Sequence, residues 1–276
     1  MTEWKASRVL VTGAAQGMGR ELSRRVLAAG GHVIAWDIDT EALASLHDDA
    51  AAQPGTVETA VVDVTDRERV EQAALEAGSV DILVNNAGIV RGGFLTDAQP
   101  RDIELVMNIN AMSLFWVTRA FLPAIVERNS GHIVTIASSA GLVPLRSAVS
   151  YTASKHAAVG FHDALRQELR TQAPGVRTTL VTPFFVDTGM FHGTKSRFDF
   201  LLPIVAPDDA IDRIWAAVVK DRSRVIMPAA AAAAYALRIL PARVADVVLD
   251  QLGISSSMDG FQGHGTEATT GKDGPS

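Results

Sequence analysis

Short apolar runs alternate with longer segments of helical period through most of this chain, and that alternation constrains its fold more than any single motif. The runs are Arg8 to Val11, His32 to Trp36, Val57 to Val62, Ile82 to Val84, His132 to Ile136, Val176 to Val181 and Val225 to Met227. Each has strand length and is mostly apolar, as a strand covered on both faces must be. Between them, segments near 17–29, 40–51, 66–77, 100–128, 150–171 and 207–220 carry helical periodicity. The reading is an α/β fold: a single doubly wound domain whose seven-stranded, mainly parallel sheet bears helices on both faces. Ligands of such sheets bind outside the carboxyl ends of the strands, so the strand-to-helix junctions are where chemistry belongs.

One domain suffices for 276 residues, 47% of them hydrophobic, which can enclose a large core. It is read as residues 1–254, with a mobile apolar cover over the substrate at about 189–205 and an alanine-rich helical extension at about 229–252. From 255 to 276 Gly, Ser and Thr dominate, and a flexible tail is expected. The chain has no cysteine, which excludes disulfides and thiolate chemistry, fits a reducing compartment and makes a cytoplasmic location the expectation. A net charge of -6 and a pI near 5.6, with scattered lysines and arginines, leave no footprint for nucleic acid or an anionic membrane. The low-charge stretch Val225 to Leu237 falls short of the roughly 20 apolar residues that cross a bilayer, so no integral membrane segment is expected.

The first junction reads VTGAAQGMG. Glycines there let the backbone approach a pyrophosphate while the amides and helix N-terminus face it, a Rossmann-like arrangement. Gly13, Gln16, Gly17, Met18 and Gly19 are assigned to the cofactor on this basis. Asp37, at the end of the second strand, is placed to accept both adenosine ribose hydroxyls, with Ile38 beside it. A carboxylate there repels a 2′-phosphate, and no arginine adjoins it, so NAD is favoured over NADP. Asp39 is the better-placed cap for the following helix.

TGAAQGMG, Asp63-Val64, the NNAG run at 85–88, Asn110, Ser138 and YTASK at 151–155 together resemble the short-chain dehydrogenase/reductase family, in register from about residue 7 to 228. LFWVTRAFLPAIVERNSGHIVTIASSAG, GVRTTLVTPFFVDTGM and WDID resemble the 17β-hydroxysteroid dehydrogenases of types eleven and thirteen and related retinol dehydrogenases. The resemblance implies NAD-linked oxidation of lipophilic alcohols and assembly into homodimers or homotetramers through the helices at 100–128 and 150–171. It assigns Asp63 and Val64 to the adenine edge, and Asn86, Ala87 and Gly88 to the cofactor's ribose and nicotinamide side. Pro183, Val186 and Thr188 fall at positions that hold the nicotinamide carboxamide. Those animal relatives carry an N-terminal hydrophobic anchor, whereas the apolar run here, Val9 to Val11, is brief. Phe184 stands where the family has glycine after the proline, a departure that bears on the floor of the substrate site.

Taking hydride from an alcohol leaves a carbonyl only if the hydroxyl proton departs as well, so a base must lie beside the carbinol. Tyr151 is the candidate. Lys155, four residues on along a helix, shares its face, and an ammonium there favours the phenolate. Ser138, with Ser139 as its rival, resembles the serine that hydrogen-bonds the substrate oxygen. Asn110, poor in a helix interior, resembles the asparagine that anchors a proton-relaying water, whereas Asn108 reads as an ordinary surface residue. The seven histidines show no metal-ligand spacing, so no metal is assigned; His156 and His162 read as surface or helix-contact residues.

Two other functions compete. An extended nucleotide-sugar epimerase has glycine where residue 16 is Gln, and carries a larger C-terminal domain. A non-catalytic NAD sensor has no need of all four of Asn110, Ser138, Tyr151 and Lys155. Reduction of a carbonyl with NADH uses the same residues and stays open.

Overall fold

The computed structural model describes residues 2–187, 204–233, 237, 239–255, 257–258 and 261. Seven strands make up its sheet: β1 (Arg8–Thr12), β2 (His32–Asp37), β3 (Thr56–Val61), β4 (Ile82–Asn85), β5 (Gly131–Ile136), β6 (Val176–Pro183) and β7 (Arg224–Met227). They lie in the order β3-β2-β1-β4-β5-β6-β7, and every pairing is parallel. Helices α1 (Gly17–Ala28), α2 (Thr40–Ala50), α3 (Arg67–Ala77), α4 (Pro100–Met107), α5 (Ser113–Glu127), α6 (Val149–Gln172) and α7 (Pro207–Val219) supply the crossovers, and α8 (Ala242–Gln251) follows the sheet. Chain order reverses across the sheet between β1 and β4, so a crevice opens at their carboxyl ends.

Alternate strand residues enter separate cores, which explains why most of the runs are so apolar, whereas β3 at the sheet edge is largely exposed. Val9, Val11, Val33, Ala35, Ile82 and Val84 pack with α1, α2 and α7 through Leu22, Val26, Leu46 and Ile214. Leu10, Ile34, Trp36, Leu83 and Ile133 face the other side and meet Val70 of α3, Phe121 and Ile125 of α5, and Leu165 and Leu169 of α6. A third cluster lies around the carboxyl ends of the central strands and holds Tyr151 among aliphatic and aromatic side chains.

Three sequence expectations need correction. The segment 100–128 is not one regular helix: a π-helical turn, Asn108–Met112, separates α4 from α5. The extension at 229–252 is divided, among the described residues, into a 3-10 turn at Ala229–Ala233 and α8. Within the stretch read as a tail, the described Ser257 and Met258 are buried: Met258 has an apolar cluster to enter, and low average hydrophobicity hid that one side chain. The apolar cover lies outside the described residues from 189 to 203, as does most of the tail. Pro100–Glu127 is long and apolar enough to cross a membrane by length and composition, yet its Val106, Leu114, Val117, Phe121 and Ile125 are buried inside the fold.

Candidate active site

The glycine turn is shaped by what surrounds it. Gly13 and Gly17 have φ of +63° and +51°, a left-handed conformation that only glycine adopts without strain. At Gly19 the reason is space: a Cβ would fall 1.9 Å from the Gly13 carbonyl oxygen. Asn86 braces the same turn, its Nδ2 donating to the carbonyls of Thr12 (2.9 Å) and Gly13 (3.0 Å). Thr12 Oγ1 in turn accepts from the backbone amides of Asn86 and Ala87, both at 3.0 Å. The first turn of α1 carries no acidic residue, so its unpaired amides remain available to an anion. These residues fit a dinucleotide's pyrophosphate.

Asp37 ends β2 beside the glycine turn. Its Oδ2 accepts from Ala15 N at 2.9 Å, and its Oδ1 from Ile38 N (2.8 Å) and Asp39 N (3.1 Å). It does not cap α2. Asp39 does, accepting from Ala42 N at 2.9 Å while Gln16 Nε2 donates to its other oxygen at 2.6 Å, bonds that hold the Asp39 carboxyl below its ordinary value. Ile38 leaves its side chain exposed next to Asp37, as a surface for a flat ring would be. Asp63 folds back to accept from the amide (2.8 Å) and hydroxyl (2.7 Å) of Thr65. Val64 buries its side chain in the core, so only its backbone is available at the adenine edge.

Asn110, Ser138, Tyr151 and Lys155 come together at the carboxyl ends of β4 and β5, all buried. Ser138 opens a 3-10 turn, Ser139–Gly141, after β5, and its hydroxyl is hydrogen-bonded to Tyr151. Ser139 lies within that turn, where its carbonyl accepts from Leu142 N at 2.8 Å, so it is Ser138 that meets the tyrosine. Asn110 sits in the π-helical turn and pairs with Ile89 in both directions: Oδ1 accepts from Ile89 N at 2.8 Å and Nδ2 donates to Ile89 O at 2.9 Å. Nδ2 also donates to Ser154 Oγ at 3.0 Å, whose hydroxyl donates to Tyr151 O at 2.7 Å. Asn108 is exposed. A Cβ on Gly88 would lie 3.3 Å from both Asn110 Oδ1 and Lys155 Nζ, so that glycine keeps open the space on which they converge.

The electrostatics differ from the sequence expectation. Burial, the largest influence, pushes the Tyr151 phenol up to about 12, against a lowering by the Ser138 hydrogen bond. Burial likewise brings the Lys155 ammonium down to about 8. Helical spacing does place the pair on one face, but Nζ turns to the Ile136 carbonyl at 3.3 Å and lies 5.8 Å from the phenol ring centroid. Burial therefore keeps the phenol neutral at physiological pH.

Pro183 ends β6, and its carbonyl lies 3.5 Å from Ser138 Oγ. Phe184 and Phe185 follow as a buried ring pair with centroids 4.4 Å apart, in the same cluster as Tyr151. Val186 pairs with Val205 through the Phe185 carbonyl and the Asp187 amide, so that bridge does not use its own amide and carbonyl. Thr188 lies outside the described residues. Of the histidines sharing Tyr151's helix, His156 bonds Thr152 O at 2.9 Å, and His162 is buried against Thr135 Oγ1 at 3.0 Å. Sequence reasoning missed Thr12 and Ser154. Ser154 had a signal, since it is three residues from Tyr151 and so on its helical face.

The family model for the short chain dehydrogenase matches residues 7–198. The mouse (Mus musculus) epidermal retinol dehydrogenase 2 is 37% identical over 262 residues, covering 92% of this chain and 85% of the relative. The human (Homo sapiens) estradiol 17-beta-dehydrogenase 11 is 36% identical over 252 residues, 89% of this chain and 83% of the relative. Among solved structures, a short-chain dehydrogenase/reductase from Burkholderia phymatum in complex with NAD superposes with a TM-score of 0.78 at 29% identity, covering 91% of this chain and 97% of the other. One from Burkholderia cenocepacia in complex with NADP gives 0.76 at 28% identity over 91% and 99%.

Proposed function

From the premise that this chain belongs to the short-chain dehydrogenase/reductase family, we propose that it interconverts a lipophilic alcohol and its ketone or aldehyde with NAD, Tyr151 being the acid and base. The substrate is a secondary or allylic alcohol of steroid, retinoid or terpenoid kind. The observation that carries this reading is the buried assembly of Ser138, Tyr151, Lys155 and Asn110 beside the glycine turn. The apolar character follows from Tyr151's surroundings, where Val90, Leu142, Val143, Leu145, Phe184 and Phe185 share its cluster. NAD rather than NADP follows from Asp37, whose carboxylate rests on Ala15 N beside the glycine turn, where a 2′-phosphate meets repulsion.

Gly13, Gly17, Gly19, Asp37 and the β4 junction would hold NAD, which would supply the hydride acceptor or donor. The chain's own residues manage the proton and the oxygen. Ser138 donates to the substrate oxygen as charge develops there, and Tyr151 takes the carbinol proton in oxidation or returns one in reduction. A phenol held neutral is ready to donate, which favours carbonyl reduction as the second reading; in oxidation the phenolate needs positive charge beside it, and Lys155 Nζ lies 5.8 Å from the ring centroid. Gly88 leaves room between Asn110 and Lys155 for a water to carry the proton onward. The proposal extends to a homodimer or tetramer, supported by the exposed Leu105, Met112 and Phe115 on α4, the π turn and α5.

NADH absorbance across a panel of steroid, retinoid, terpenoid and short secondary alcohols, with the matching carbonyls in reverse, tests the proposal. Turnover of lipophilic members, reduced at least about a hundredfold in Tyr151→Phe, is expected. Activity confined to small polar alcohols, or undiminished in that variant, refutes it.

A further inference from the structure

The carboxyl-terminal residues have no part in the reading so far, yet three contacts hold them against the site. The Ser255 carbonyl accepts from Arg146 N at 3.1 Å. Phe261 lies so close to Gly92 that a Cβ there would fall 2.5 Å from its Cδ1. Ile254 and Met258, the latter 1% exposed, belong to the same apolar cluster as Tyr151, Phe184 and Phe185, and Phe261 packs against it.

Gly92 and Arg146 lie on the two loops that flank the catalytic tyrosine. The first leaves β4 and carries Ile89, paired with Asn110. The second runs from Ser138 into α6. The loops meet where Gly93 N donates to Ser147 O at 2.8 Å and Gly93 bridges Ala148. The C-terminal residues touch both loops just outside that junction. Gly92, with no φ in the left-handed region, is explained by the ring seated on it rather than by backbone conformation.

We infer that Ile254, Met258 and Phe261 form a wall of the substrate chamber, and that Phe261 seated on Gly92 limits the bulk of the compound admitted to Tyr151. The inference rests on the alcohol–carbonyl reaction proposed above. A wall of this chemistry recognises the apolar body of a substrate and leaves its oxygen to Ser138 and Tyr151. It therefore changes discrimination between substrates and leaves the proton path alone.

Phe261→Ala and Gly92→Ala test it in the full chain, the second by displacing the ring with a methyl group while keeping the ring itself. The readout is the ratio of kcat/KM for a polycyclic or long-chain alcohol to that for a short secondary alcohol, with NADH affinity followed by fluorescence in parallel. Each variant should raise the ratio about tenfold, the scale of apolar-pocket discrimination, with NADH affinity within twofold of wild type. Gly92→Ala added to Phe261→Ala should change little further, because the two act through one contact. Ratios within twofold of wild type in both single variants, with NADH binding intact, overturn the inference while leaving the proposed reaction standing. A wild type that turns over no alcohol or carbonyl in the panel overturns the reaction, and the wall with it.

Discussion

Replacing Lys155 with methionine should make the cofactor-free protein more stable at neutral pH while abolishing most of its activity. Lys155 is 5% exposed, and burial lowers its ammonium from 10.5 to about 8. The difference, roughly 2.5 pH units at 1.36 kcal/mol per unit, amounts to about 3 kcal/mol. The sign follows from proton binding: between pH 8 and 10.5 the unfolded chain binds more protons at this site than the folded one. The destabilisation is therefore complete below about pH 8 and fades as the pH rises to 10.5. Methionine matches the length of the stem and removes the charge, but also removes the bond to the Ile136 carbonyl, a loss of about 1 kcal/mol. A net gain of about 2 kcal/mol is expected at pH 7. Urea unfolding of cofactor-free wild type and variant at pH 6.5, 7.5, 8.5 and 9.5, followed by tryptophan fluorescence, should show a gap that narrows above pH 8. A variant less stable than wild type at pH 7, or a gap independent of pH, would refute the claim that a desolvated charge is stored there for catalysis.

Three further outcomes are expected. In a Tyr235→Phe background, leaving Tyr151 as the single tyrosine, absorbance near 295 nm in the cofactor-free protein should show no phenolate until about pH 12; an inflection near pH 10 with the fold intact would show that burial does not raise this phenol. Asp37→Ser should narrow the preference of kcat/KM for NAD over NADP by about tenfold or more, and an unchanged ratio would remove Asp37 from the ribose site. Burial holds His132 and His162 down at about 4, from 6.5. The unfolded state then binds more protons from pH 6.5 to 4, and stability should fall as the pH is lowered through that window by about 3 kcal/mol per histidine. His162→Gln should remove about half of that acid sensitivity in urea titrations, and an unaltered pH slope would count against it.

The parts of the site legible in the sequence are those where one residue type is demanded by local geometry. Gly13, Gly17 and Gly19 could be read because a turn bearing positive φ beside a carbonyl at contact distance admits little else. Tyr151 and Lys155 could be read from a four-residue spacing, and Asp39 as a cap from its place before α2. The π-helical turn could not. Buried positions at Val106, Asn110, Leu114, Val117, Phe121 and Ile125 keep steps of three or four straight through it, so hydrophobic periodicity passes over the extra residue. What betrays the turn is the polar Asn110 on an apolar face, a residue the sequence marks without marking the backbone change around it.

The direction of Tyr151's ionisation was beyond the sequence for a different reason. Spacing says that an ammonium and a phenol share a helix face, but the outcome is a contest between their attraction and the loss of water around both. That contest is decided by residues from other elements: Phe184, Leu142 and Leu145, which surround the tyrosine in its cluster, and the Ile136 carbonyl, which draws Nζ away. Burial wins in the free protein, so the site as folded stores an acid. A base requires positive charge added beside the phenolate, such as the nicotinamide ring of an oxidised dinucleotide would carry. Cofactor binding and readiness for oxidation would then be coupled through one electrostatic balance: a charged cofactor that raises the phenolate fraction would, by linkage, bind more tightly as pH rises.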